Sequence, residues 1–151
     1  MAALAIPAAA QTEVPFKGNF QGTDTPTPPT ILQIITGNGT IVGRFSSTAL
    51  SGGPVSPHSA HWIAANGDTI DTTFVGSAEH VPMSPCEVVD AQPEDSYAKI
   101  TQVHTITGGT GRFASIQGSF TLTKYHDLVR RDGTNGTCGF YSGTITPPGE
   151  H

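Results

Sequence analysis

At 151 residues, with only 13% charged side chains and a formal net charge of −5, the chain has the size of one domain able to bury its own core. Its seven basic residues are scattered, Arg130-Arg131 being the only adjacent pair, so no basic face is available to displace counterions from nucleic-acid phosphates. Gly (18), Pro (12) and abundant Thr replace the amphipathic Ala, Leu, Glu and Lys runs that helices need, and no segment approaches the ~20 apolar residues of a membrane helix.

Residues 1–10 stand apart from the rest. Leu4-Ala5-Ile6 is apolar, Pro7 interrupts it, and Ala8-Ala9-Ala10 before Gln11 has the small-residue form of a signal-peptidase site. They read as the remnant of a signal peptide or as an Ala-rich tail, with residues 11–151 as the folded domain. The signal reading implies a secreted or periplasmic protein.

Eight segments with period-two patterning and turn residues between them follow. They are Val14–Thr23, Ile31–Thr36, Thr40–Thr48, Ser59–Ala65, Thr69–His80, Tyr97–Thr107, Phe113–His126 and Thr137–Ile145. The seventh shows the alternation best. Ala114, Ile116, Gly118, Phe120 and Leu122 share one face, and Ser115, Gln117, Ser119, Thr121 and Thr123 the other. One apolar and one polar face per strand marks an antiparallel sheet, and with no helix to cover the apolar face the sheet must close on itself. The expected fold is all-β: a single eight-stranded antiparallel up-and-down barrel.

Asn38-Gly39, Asn66-Gly67 and Gly108-Gly109-Thr110-Gly111 read as tight turns, while Asp24–Thr30, Ala49–His58, Val81–Ser96 and Asp127–Gly136 read as long connections. The two kinds alternate, which in a meander puts all the long loops on one rim. Cys86 and Cys138 then lie at the same rim and can form a disulfide, two free buried thiols being the alternative. The bridge would close roughly fifty residues, worth about 3–4 kcal/mol in the chain-entropy model.

The run Gly108-Gly109-Thr110-Gly111-Arg112-Phe113, with Gly118 five residues after the Phe, resembles a motif of the allene oxide cyclase and dirigent-protein superfamily. The eight-segment pattern extends the likeness over most of residues 11–151. The resemblance implies a barrel with a hydrophobic lumen open at one end. It also implies cofactor-independent cyclisation or steering of radical coupling, often in dimers or trimers. No catalytic residue is carried over, because nothing outside the glycine motif matches the polar pocket groups of those relatives.

Six histidines are unusual in a chain this poor in charge. His58, His61, His80 and His126 are expected at the long-loop rim with Glu79 and Lys124. There they read as metal ligands, as general acid–base groups, or as solvated rim residues. His58 and His61, three apart on a strand, point to opposite faces and make no ligand pair unless His58 is in the loop; with so weak a spacing signature no metal site is expected. The rim candidates for ligand contact are His61, Glu79, His80, Tyr97 and His126. In the lumen Gln102 and His104 interrupt an apolar face, either paired with each other or with Thr72 or orienting a ligand, between walls of Trp62, Phe74, Phe120 and Tyr141. Two functions fit: a secreted barrel binding a small apolar or aromatic molecule without a cofactor, or a filled structural barrel forming homo-oligomers at the cell envelope.

Overall fold

The computed structural model describes residues 12–52, 58–85, 97–127 and 135–149. Eight strands, β1 (Val14–Thr27), β2 (Thr30–Gly39), β3 (Gly43–Ser51), β4 (His58–Ala64), β5 (Thr69–Val81), β6 (Tyr97–Gly109), β7 (Gly118–Asp127) and β8 (Asn135–Ile145), form one closed barrel. Each strand pairs antiparallel with its sequence neighbours, and β8 returns to β1, with Val14 opposite Ile145 and Asp24 opposite Asn135. Closure leaves no free sheet edge. The all-β up-and-down barrel expected from the alternation is the fold.

The alternation decides what fills it. On β1, Phe16, Phe20 and Asp24 are buried between exposed Lys17, Asn19 and Gln21; on β4, Ala60, Trp62 and Ala64 are buried between exposed Ser59, His61 and Ile63. Near the chain termini the interior is solid with rings. Trp62 packs against Phe45, Phe120 and Tyr141 at centroid distances of 4.8, 5.4 and 5.3 Å, and Phe16 lies 5.1 Å from both Phe120 and Tyr141. Such tilted and edge-on pairs add to the large apolar area that each ring removes from water.

The connections differ from the expected alternation of long and tight. The segment Asp24–Thr30 is not a long loop: β1 continues to Thr27, and Pro28-Pro29, joined by a cis peptide bond, makes a two-residue turn into β2. Asp24 is held inside the barrel by Lys124 and His126, which keeps this stretch in the ladder. Nor is Asn38-Gly39 a turn. Both residues belong to β2, and the chain reverses through Thr40, Ile41 (φ 71°) and Val42, tied down by Thr40 Oγ1 to Pro15 O at 3.0 Å. The Asn66-Gly67 turn is as expected, with Asp68 N donating to the Asn66 side-chain oxygen at 2.9 Å.

The glycine motif makes a larger structure than a tight turn. Gly109 ends β6, Gly111–Phe113 form a 3₁₀ turn, and β7 begins only at Gly118. Ala114, expected inward, is exposed, whereas Phe113 and Ile116 fold under the barrel and plug it. Gly111 has φ 57° and lies against the Asp68 carboxylate, where a Cβ would collide; that carboxylate accepts from Arg112 N at 3.2 Å. The plug closes one end of the barrel.

Candidate functional site

Among the described residues, a cavity of about 350 Å³ enters the barrel at the opposite end. Its apolar walls come from Ile31, Phe74, Ala78, Ala98 and Ile100, with Gly76 leaving room on β5. Gly76, Ala78 and Ala98 are small at this level, whereas the other half is packed with aromatic rings. Among the described residues the barrel is therefore filled over one half and hollow over the other.

A buried charge cluster lies on one wall of this cavity. Lys124 is 1% exposed and donates to both carboxylate oxygens of Asp24, at 3.0 and 2.8 Å. His126 Nδ1–H donates to Asp24 Oδ2 at 2.6 Å. Burial pushes the Asp24 pKa up, but the His126 hydrogen bond and the Lys124 charge outweigh it and hold the group below the usual carboxylate value. Burial pulls the Lys124 pKa down from its ordinary 10.5, and the Asp24 charge offsets only part of that. Asp24 is ionised, with Lys124 Nζ and the His126 N–H both directed at its carboxylate.

Beside the cluster runs a chain of neutral hydrogen bonds with a single direction. Gln33 Nε2 donates to Ser51 Oγ at 2.7 Å, and Gln102 Nε2 donates to Gln33 Oε1 at 3.3 Å. Gln102 Oε1 must then accept from His104 Nε2–H, at 2.9 Å, so His104 Nδ1 accepts the Thr72 hydroxyl proton at 2.8 Å. That fixes one imidazole tautomer. His104 is sandwiched between Phe74 and Phe120, at centroid distances of 4.6 and 4.8 Å, and burial drops its pKa to about 3.

The residues singled out from sequence separate into three groups. Phe74, Gln102 and His126 line the cavity. Trp62, Phe120 and Tyr141 are buried but belong to the packed half, and His104 lies beneath the cavity in the pairing with Gln102 and Thr72 anticipated as its structural role. The expected gathering of rim groups does not form. His61 points outward and bonds Asp71 at 2.7 Å on the barrel surface, because alternation on β4 puts Trp62 inside. Glu79 and His80 are exposed, with Glu79 3.8 Å from Lys99, and Tyr97 is buried outside the cavity lining.

Sequence reasoning missed Asp24 and Gln33 and placed Lys124 on the rim instead of inside. Continuing the inward face of the seventh segment past Leu122 leads to Lys124 and His126; continuing Phe16 and Phe20 by one more period leads to Asp24. His58 also reaches the cavity, its ring 5.2 Å from Phe74.

Among the described residues, no group of three or more His, Cys, Asp or Glu is placed to hold a metal ion, and no helix is long and apolar enough to cross a membrane. None of the described cysteines is free; Cys86 lies outside the described residues, as do residues 1–10. A broader depression of about 770 Å³ beside Asn19, Thr36, Asn38 and Arg44 has no buried charge. The fold and cavity define an up-and-down barrel with a half-filled lumen and a charged wall at its mouth. No protein-family model, curated protein or solved structure matches the chain.

Proposed function

We propose that the protein binds a small, largely apolar, uncharged molecule in the mouth of the barrel, its polar end directed at Lys124, Asp24 and His126. The observation that carries this reading is a buried ion cluster on the wall of an open apolar cavity. Removing an ion pair from water costs several kcal/mol per ion before pairing returns part of it, and apolar residues of similar size are often as stabilising. A barrel filled only for structure gains little from Lys124. A cavity that must orient a ligand needs a few convergent polar groups among apolar walls, and its volume sits within the ligand-pocket range of roughly 300–1,000 Å³.

With an ionised carboxylate beside the ammonium, the wall favours hydroxyl or carbonyl ends over a free carboxylate. The packed aromatic half sets the depth, so the ligand occupies the mouth only. Cyclase or dirigent-like chemistry, suggested by the glycine motif, would take place here. The motif itself makes the plug at the far end and supplies no reacting group.

The reading includes export to an oxidising compartment and a Cys86–Cys138 bridge. Native mass spectrometry of the full chain purified from such a compartment tests it, with a panel of medium-chain alcohols, methyl ketones and substituted phenols added in turn. One molecule retained per chain, and lost in Ala98→Phe, is the expected result. Failure to retain any member of the panel overturns ligand binding, and a mass without the loss of two hydrogens overturns the bridge.

A further inference from the structure

Lys124 is a lysine placed where a small carbonyl compound would be held, and this deepens the binding reading above, on which it rests. We infer that Lys124 is a carbonyl-reactive amine, and that the mouth cavity takes a small apolar aldehyde or ketone as a covalent imine on Lys124 Nζ.

Three observations converge. First, Lys124 belongs to the lining of a largely apolar cavity although it is 1% exposed, so its side chain is shielded from bulk water. Second, its carboxylate partner is shared: Asp24 Oδ2 lies 2.8 Å from Lys124 Nζ and 2.6 Å from His126 Nδ1. Asp24 Oδ1 lies 3.0 Å from Lys124 Nζ, so a proton can pass from the ammonium to that oxygen without changing the summed charge of the pair. Third, burial disfavours the charged form of Lys124, whose side chain is 1% exposed. Desolvation in an apolar pocket is a recognised way of activating a lysine nucleophile.

The step balances without any further reagent. Lys124 passes one proton to Asp24 Oδ1, and the Nζ lone pair forms a bond to the carbonyl carbon as the C=O π pair moves to oxygen. Proton transfer from nitrogen to oxygen gives a neutral carbinolamine. Return of the stored proton to its hydroxyl expels water and leaves an iminium. The iminium N–H has the same charge as the original ammonium, so Asp24 remains paired. Gln33 and Gln102 sit on the same cavity lining, where an amide N–H can meet the carbonyl oxygen during attack.

The chain supplies its own controls, since it has three lysines and the other two, Lys17 and Lys99, are on the outer surface. The experiment treats the full-length protein with octanal and sodium cyanoborohydride at neutral pH, then locates the octyl group by peptide mass spectrometry. The imine is reduced by hydride to a stable secondary amine. Alkylation at Lys124 about tenfold faster than at Lys17 or Lys99 is expected for a buried, activated amine. In Lys124→Arg, which keeps a cation opposite Asp24, the fast phase should vanish while labelling of Lys17 and Lys99 is unchanged. Labelling of Lys124 no faster than of the surface lysines overturns the inference. Octanol binding separates the two proposals: octanol retained by native mass spectrometry without fast Lys124 labelling leaves the binding site standing, and loss of both removes it too.

Discussion

His104 and Phe120 lie face to face, their rings 4.8 Å apart and within 11° of parallel, one strand away from each other at the floor of the cavity. The contact joins the two halves of the barrel, since Phe120 belongs to the packed rings and the imidazole edge bonds Gln102 and, through it, Gln33. Burial between the two rings also keeps His104 neutral.

That neutrality makes stability depend on pH with a definite sign. The folded-state pKa of His104 is about 3 and its ordinary value is 6.5, so between these limits the unfolded chain binds a proton that the folded chain does not. The contribution is fully present above pH 6.5 and falls as the pH is lowered, by about 4–5 kcal/mol by pH 3. Asp24, whose pKa is lowered, adds a further loss below its ordinary 3.8. Urea unfolding at a series of pH values should show this decline, and His104→Phe should flatten it above pH 4. The same variant should lose about 1–3 kcal/mol at neutral pH for each partner left unbonded, Thr72 and Gln102.

The Lys124–Asp24 pair should behave as a unit. Lys124→Met leaves a buried carboxylate opposite an apolar side chain and should cost about 3–5 kcal/mol, and Asp24→Leu should cost a similar amount. The double variant should cost clearly less than the two added together, because neither charge is then orphaned. A double-mutant cycle by chemical denaturation checks this. Additive losses would mean that the two groups act separately.

Tyr141 offers a test of packing in the filled half. Its hydroxyl is buried without a hydrogen-bond partner among the described residues and points at the backbone of Gly39, where a Cβ would collide with it. Tyr141→Phe should therefore be neutral or stabilising by up to about 1 kcal/mol, since it removes an unsatisfied polar atom. Gly39→Ala should destabilise, and Tyr141→Phe should recover part of that loss. The remainder reflects the Lys17 carbonyl oxygen, 2.8 Å from the added Cβ. Thermal denaturation of the three variants reads all of these effects.

The barrel was legible because its determinants are local: period-two faces and eight well-separated segments fix strand number and order. Trp62, Phe74, Gln102, His104, Phe120 and Tyr141 all point inward as the alternation predicts. Asp24 was not legible, because Pro26, Pro28 and Pro29 make its surroundings read as loop, and what holds it in the sheet is a lysine 100 residues away. The division into packed and hollow halves depends on summed side-chain volume at each level of the closed barrel. Gly76, Ala78 and Ala98 reveal it only once the register places them together. The Gly108–Gly111 segment, with its three glycines, was recognisable as a turn. That Phe113 and Ile116 swing beneath the barrel, delaying β7 to Gly118, follows from contacts with the barrel interior that no local pattern encodes.

That division gives the last prediction, in which two substitutions of opposite sense should have opposite consequences. Phe120→Ala opens space in the filled half and should cost about 3–5 kcal/mol, because the surrounding rings can relax only partly into the void. Ala98→Leu adds volume to a wall that faces the cavity, so it should change stability by less than about 1 kcal/mol. Binding should show the reverse order. Ala98→Leu should weaken retention of any mouth-bound molecule at least about tenfold by filling its site, while Phe120→Ala, assayed where it remains folded, should retain it within a few-fold. Denaturant unfolding and native mass spectrometry on the same two preparations decide it. A large stability loss in Ala98→Leu would show that the mouth is packed like the rest of the barrel.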